Sequence, residues 1–413
     1  MMTELCRRLE QQIASSVSQI AVSERPQEIE ILTRRTEMLE AHAEYYSKVS
    51  RSNFRLGLDG YNSSTEHGKA ASLNQSRVAL LWTREGDAIR CNLCPWRCVI
   101  PQANRGICQA RLNNGGTLYA TNYGMASTTA SMHLPLLLDP IEKRPLFHYK
   151  PGSYSLSVAS LGCNFKCQFC DHYDMDHRPL GLRPLDPTQI VQKALALRSS
   201  VISYTYNEPT IFLEYALDVA REAEKSGLEN AFITNGYVNS EAIDLVSRNM
   251  QAAVVGVKGS LNPGLYERIL GVRDVEPIRD ALTSLVDRRI HVEICDLLVT
   301  DHGDSIEDVR DFAKWIYDEL GPEIPLHLTR YYPDWKLNLP ETRLQVLEEA
   351  YEEAKKAGLA YVYVVNVPGH RYANTYCPDC HTWLLKRRGS ELVGLNLKEG
   401  RCPVCGLKVP IRW

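Results

Sequence analysis

"LGCNFKCQFCDHYDMD", residues 161–176, places three cysteines within eight residues, at Cys163, Cys167 and Cys170. Directly before it stands "SLSVAS" (155–160), a short apolar run of strand character. Structural zinc knuckles and iron–sulfur clusters normally take four protein ligands. Here no fourth cysteine follows, and the next residues are Asp171, His172 and Tyr173.

The runs downstream settle the fold class. They are "VISYTY" (201–206), "NAFIT" (230–234), "AAVVGV" (252–257), "HVEICDLLV" (291–299), "PLHLTR" (325–330) and "AYVYVV" (360–365). Between them lie amphipathic segments of helix length, such as "PTIFLEYALDVAREAEKSG" and "ETRLQVLEEAYEEAKKAG". Strand–helix alternation at this spacing predicts βαβ units and a parallel sheet. The expected fold is α/β, a partial (β/α)6-type barrel over residues 153–370. In barrels the chemistry sits at the C-terminal ends of the strands, and the cysteine loop follows the first strand on that face.

Residues 1–77 read as a helical N-terminal extension and linker. Leu5, Leu9, Ile13, Val17 and Ile20 recur at helical spacing, Pro26 breaks the pattern, and "GYNSSTEHGKAASLNQS" (60–76) is a polar connector. A formal charge of −3 and 23 % charged residues show no global bias toward nucleic acid or membrane. The N-terminus carries no apolar signal region, and no uncharged apolar run is long enough to span a bilayer. A cytoplasmic protein is expected.

Eleven of the thirteen cysteines fall into three tight groups, leaving Cys6 and Cys295 as small buried hydrophobes. Short C-x-x-C spacings in such a chain read as metal sites rather than disulfides. The first group, Cys91, Cys94, Cys98 and Cys108, lies in a small β-rich module over residues 78–152. Four thiolates suit Zn²⁺, a single iron or an auxiliary 4Fe–4S cluster. The uneven spacing lacks paired knuckles, which favours a structural metal site over an electron-transfer cluster. The last group, Cys377, Cys380, Cys402 and Cys405, has the paired spacing of a zinc ribbon over residues 371–413. That segment carries eight Lys/Arg against three acids. A protein or RNA partner could use this charge, although most such runs are solvated surface.

The spacing C-x₃-C-x₂-C, with Phe169 before the last cysteine, resembles the signature of the radical S-adenosylmethionine (SAM) superfamily. There three cysteines hold three irons of a 4Fe–4S cluster, and the fourth iron binds the amino and carboxylate groups of SAM. An electron from the cluster cleaves SAM to methionine and a 5′-deoxyadenosyl radical, which abstracts a hydrogen atom. Seven motifs follow, in order, those of the AmmeMemoRadiSam radical SAM family, which is related to the activases of glycyl-radical enzymes. They are "CNLCPWRC…RGICQAR", "LDPIEKRPLFHYKPGS", "SLGCNFKCQFC", "YNEPTIFLEYALDVA", "FITNGYV", "VPGH…NTYCPDC" and "GRCPVCGLKVPIRW". The likeness runs from about residue 78 to residue 413.

The resemblance implies site residues position by position. Phe169 would lie beside the cofactor, and Tyr206-Asn207-Glu208-Pro209 stands where the superfamily has Gly-Gly-Glu-Pro. Asn207 and Glu208 would then meet the SAM ammonium. Thr234-Asn235-Gly236 would face the methionine or ribose, and Lys258 would line the pocket. A ferredoxin- or flavodoxin-type electron donor is implied. The chain departs from the family at Asp171-His172-Tyr173, Gly256, Thr300-Asp301 and Tyr332, all pocket-facing positions there. An oxygen-sensitive radical SAM enzyme is expected. Its rivals are an activase that makes a glycyl radical on a partner, and a non-catalytic iron–sulfur and zinc assembly subunit. No eight-cysteine ferredoxin-like insert of the kind many activases carry is present in the sequence.

Overall fold

Strands that bury side chains on both faces need cover on both, and parallel pairing through helical crossovers supplies it. The computed structural model, which describes residues 2–23, 26–51, 76–126, 138–173 and 183–413, follows this rule. Seven parallel strands stand side by side in chain order. They are β1 (Tyr154–Val158), β2 (Val201–Tyr204), β3 (Glu229–Thr234), β4 (Ala252–Lys258), β5 (His291–Leu298), β6 (Leu326–Arg330) and β7 (Val362–Val365). All four residues of β2 are buried, as are the first four of β4 and of β5. The order is linear, so the barrel is open, with one more parallel strand than a six-unit reading.

Amphipathic helices connect the strands, among them Pro187–Ala196, Leu213–Lys225, Glu276–Asp287, Ile306–Trp315 and Leu344–Lys356. Their starts are chemically marked. Asp186 forms a reciprocal capping box with Gln189, and the Ser305 side chain accepts the Asp308 N–H.

Residues 138–150 do not continue the β-rich module, where the sequence placed them. Leu138–Pro140 pairs antiparallel with β1, as an eighth strand of the barrel sheet. Ile141, Leu146 and Tyr149 then bury themselves against Val201, Ala231, Ala252 and Val254. These apolar side chains are too few for a core of their own and close the N-terminal end of the barrel instead. The module itself is two three-stranded antiparallel sheets within residues 76–126.

The N-terminal helices Met2–Val22 and Pro26–Arg51 form a hairpin, with Pro26 in a first turn where its missing N–H is no loss. Leu9, Met38 and Leu39 pack with Leu138 and Tyr154, while Val17 is 50 % exposed. The connector at 60–75 and the side chains of Leu5 and Cys6 lie outside the described residues. At the other end of the chain, Thr375–Tyr376, Trp383–Arg388 and Glu391–Leu395 form a three-stranded antiparallel sheet. Its Leu384, Leu385 and Leu392 share a core with Phe147, Tyr361 and Tyr363 of the barrel. Arg387, counted in the sequence among surface charges, is buried and donates to the Phe147 carbonyl at 3.0 Å.

Candidate active site and metal centres

The loop after β1 is held from every side. The Asn207 amide accepts the Ser160 N–H at 2.8 Å and donates to the Gly162 carbonyl at 2.9 Å. Gly162 has φ +87, and a Cβ there would stand 2.5 Å from the Cys108 carbonyl, so only glycine fits. Asn164, fully buried, donates to the Tyr237 carbonyl and accepts from the Asn235 amide at 2.8 Å. Trp96 Nε1 donates to the Asn164 carbonyl at 2.9 Å. Backbone bonds from Lys166 and Gln168 to Leu270 and Ile269 pin the far side.

Cys163, Cys167 and Cys170, all half-buried, line a cavity of about 490 Å³. That lies in the range of small-molecule sites. Phe169, Asn207, Glu208, Thr234, Asn235, Gly256 and Lys258 share the lining. All but Phe169, which belongs to the cysteine loop, lie at or just beyond the ends of β2, β3 and β4, the face on which barrels do chemistry. A larger hollow of about 560 Å³, between the N-terminal hairpin and the C-terminal sheet, contains no cysteine in its lining. Of these two, the smaller cavity is the one with cysteines in its lining. Three soft ligands sharing a cavity with polar groups fit a cluster that keeps one iron for a bound ligand.

Glu208 is the hub of the polar groups at the strand ends. It is 3 % exposed, and its Oε1 accepts from Thr210 N (3.0 Å), Thr210 Oγ1 (2.5 Å) and Thr234 Oγ1 (2.7 Å). Its Oε2 accepts the Asn235 N–H at 2.7 Å. Burial pushes the carboxyl above its usual range, and the four donors oppose that rise. The residues expected to face SAM thus first bond one another: Thr234 and Asn235 both serve Glu208, and Asn235 also serves the cysteine loop. Lys258 Nζ donates to the Gly256 carbonyl at 2.8 Å. Phe169 is buried, edge-on to Tyr331.

Tyr206 takes φ 72, a left-handed conformation that favours the glycine found at this place in the superfamily. Its hydroxyl accepts from Arg144 Nη2 at 2.7 Å, and the guanidinium lies 4.6 Å from its ring centre. His172 packs edge-on to the same ring, and burial lowers its pKa. Among the departures, Asp171, His172, Gly256 and Tyr332 line the cavity. Tyr173 and Thr300-Asp301 do not; Tyr173 stacks on Trp335 at 3.7 Å instead. Arg330 and Asn366 also line it and were missed in the sequence. They stand at the ends of β6 and β7, so the strand-end rule would have found them.

Cys377, Cys380, Cys402 and Cys405 form, among the described residues, the one set of three or more Cys, His, Asp or Glu ligands that all lie within 4.8 Å of one another. Sulfur pairs stand 3.4 Å (Cys377–Cys405) and 3.5 Å (Cys380–Cys402) apart. The two C-x₂-C turns are built alike: His381 N donates to the Cys377 carbonyl, and Gly406 N to the Cys402 carbonyl, both at 3.0 Å. The residue after each pair is left-handed, His381 at φ 59 and Gly406 at φ 78. Cys91, Cys94, Cys98 and Cys108 line a separate hollow with Trp96, Arg111 and Asn164, without closing to 4.8 Å. Cys295 is half-buried, with its sulfur 3.0 Å from Thr329 Oγ1, and belongs to none of these cysteine sets.

Residues 157–316 match the model of the radical SAM superfamily. An uncharacterized protein of Methanocaldococcus jannaschii is 36 % identical over 342 residues, which are 81 % of this chain and 99 % of that one. Among solved structures, a domain of pyruvate-formate lyase-activating enzyme from Bacteroides vulgatus is similar at 18 % identity and a TM-score of 0.34, covering 39 % of this chain and 96 % of that one. Streptococcus suis SuiB bound to S-adenosylmethionine is similar at 14 % identity and a TM-score of 0.40, covering 49 % of this chain and 48 % of that one. With the cysteine loop at the end of β1 inside the matched stretch, the chain carries a radical SAM superfamily domain over residues 157–316.

Proposed function

We propose that this chain is a radical SAM enzyme that uses a 4Fe–4S cluster on Cys163, Cys167 and Cys170 to cleave SAM and take a hydrogen atom from a substrate. The observation that carries the reading is the shared cavity, lined by the three cysteines together with residues at and just beyond the ends of β2, β3 and β4. When bound, the cluster supplies the single electron that splits SAM, drawn from a ferredoxin- or flavodoxin-type carrier.

The protein's own residues hold the parts in place. Asn207, Asn164 and Asn235 fix the cysteine loop, so the three sulfurs keep one geometry. Glu208 Oε2 has one accepting position left beyond the Asn235 bond and is the group to meet the SAM ammonium. Lys258 Nζ keeps two of its three protons for an anionic end of the ligand. His172, Arg330, Tyr332 and Asp334 give the rest of the cavity a polar lining suited to a polar substrate. The set Cys377, Cys380, Cys402 and Cys405 would hold one structural zinc.

Anaerobically purified protein should contain iron and sulfide, and its reduced cluster should change its electron paramagnetic resonance (EPR) spectrum when SAM is added. The Cys163→Ala/Cys167→Ala/Cys170→Ala variant should lose that SAM-responsive signal and keep the zinc. A spectrum indifferent to SAM in fully loaded protein would favour the non-catalytic subunit.

A further inference from the structure

We infer that Cys91, Cys94, Cys98 and Cys108 hold a second iron–sulfur cluster, ligated by four thiolates and seated against the loop of the first. The uneven spacing pointed to a single structural ion. The geometry points away from one.

A zinc ion at about 2.3 Å from each thiolate draws four sulfurs to roughly 3.8 Å of one another. The Cys377 set shows that spacing, with pairs at 3.4 and 3.5 Å. The Cys91 set does not reach the 4.8 Å limit, although all four residues line one hollow. Cys163, Cys167 and Cys170 do not reach it either. A polynuclear cluster gives each thiolate a different iron, so its ligands stand further apart than one ion can span. Among the described residues, one cysteine set therefore has single-ion spacing and two have wider spacing.

A second observation is independent of sulfur positions. Arg111 is 1 % exposed, lines the same hollow, and its Nε has no hydrogen-bond partner. Its other nitrogens are committed: Nη1 and Nη2 grip the Glu214 carboxylate at 2.7 and 2.9 Å. The fork is fixed, and one buried N–H remains beside the cysteines. A buried donor left without an acceptor is destabilising. A cluster sulfide or thiolate is the acceptor the hollow can offer. Leu93, Trp96, Ile100 and Ile211 give the rest of the hollow an apolar lining.

The site touches the first cluster's loop directly. The Cys108 carbonyl packs on Gly162, next to Cys163, and Trp96 donates to Asn164, the residue after it.

The test is metal content in two variants, reconstituted anaerobically with iron and sulfide. In Cys163→Ala/Cys167→Ala/Cys170→Ala, about four irons per chain should remain, with thiolate-to-iron absorption and an EPR signal on reduction. In Cys94→Ser/Cys98→Ser, iron should fall from about eight to about four per chain while the zinc is kept. The second variant decides the matter even if the first folds poorly. An iron-free triple variant with two zincs, or a Cys94→Ser/Cys98→Ser variant with undiminished iron, would overturn the inference. Failure of the proposed SAM chemistry would appear separately, as a SAM-indifferent signal in the wild type.

Discussion

The backbone N–H of Asn235 donates to Glu208 Oε2 at 2.7 Å, tying the end of β3 to the end of β2 directly beneath the cysteine loop. With Thr210 and Thr234, this makes Glu208 the acceptor for four donors from two strand ends. Exchanging the carboxylate for an amide turns one acceptor into a donor and leaves at least one buried N–H or O–H unmatched. Glu208→Gln should cost about 1–3 kcal/mol of stability and weaken SAM binding while the cluster spectrum persists. Denaturant unfolding and a SAM titration on the same sample measure both. A variant as stable as the wild type would show that the lock is not under load.

Arg111 and Glu214 form a bidentate pair between the cysteine module and the helix after β2, both almost fully buried. Glu214 also accepts the Leu80 N–H at 2.7 Å. Glu214→Ala leaves a guanidinium buried without its counter-charge and should cost about 3–5 kcal/mol. Arg111→Met in the same chain should restore part of the loss, because the unpaired charge is gone. Urea unfolding of the single and double variants measures the coupling; strictly additive losses would deny it.

Glu142 lies at the closed end of the barrel with Oε1 accepting the Gly152 N–H and Oε2 unpartnered. Burial raises its carboxyl from 4.5 to about 7, with the Arg387 charge opposing. The folded state therefore keeps a proton that the unfolded chain releases. This contribution is complete below pH 4.5 and lost as pH rises through about 7, on the order of 3 kcal/mol. Glu142→Gln cannot ionise, so its stability should fall less between those pH values. Parallel unfolding curves for variant and wild type across that window would reject the assignment.

Removal of the metal from Cys377, Cys380, Cys402 and Cys405 should not melt the C-terminal sheet alone. Its core is shared with Phe147, Tyr361 and Tyr363, and Arg387 lies 3.9 Å from the Phe147 ring centre. Chelation, or Cys402→Ser, should therefore lower the unfolding temperature of the barrel as well. Calorimetry before and after chelation checks this. An unchanged main transition would mean that the two parts are energetically separate.

The barrel was legible because short strand-like runs alternate with amphipathic segments of helix length, and the C-terminal cysteines because paired turns carry a local spacing. Leu138–Pro140 was not, since three residues are too few to show a period and their antiparallel pairing with β1 leaves no local pattern. The Glu208 lock was legible only in part. The sequence singled out Glu208, Thr234 and Asn235, but assigned all three to the ligand. Their mutual bonds join residues 26 and 27 positions apart and emerge only when β2 and β3 lie side by side. Arg387 misled for a related reason: a basic residue in a polar stretch carries no sign that a phenylalanine 240 positions earlier will cover it.

The most direct measurement is product formation. The anaerobic, cluster-loaded protein, mixed with SAM and a strong one-electron reductant, should release 5′-deoxyadenosine and methionine in equal amounts, slowly even without substrate. The Cys163→Ala/Cys167→Ala/Cys170→Ala variant should release neither. A loaded wild-type cluster that binds no SAM and yields no 5′-deoxyadenosine would contradict the enzymatic reading.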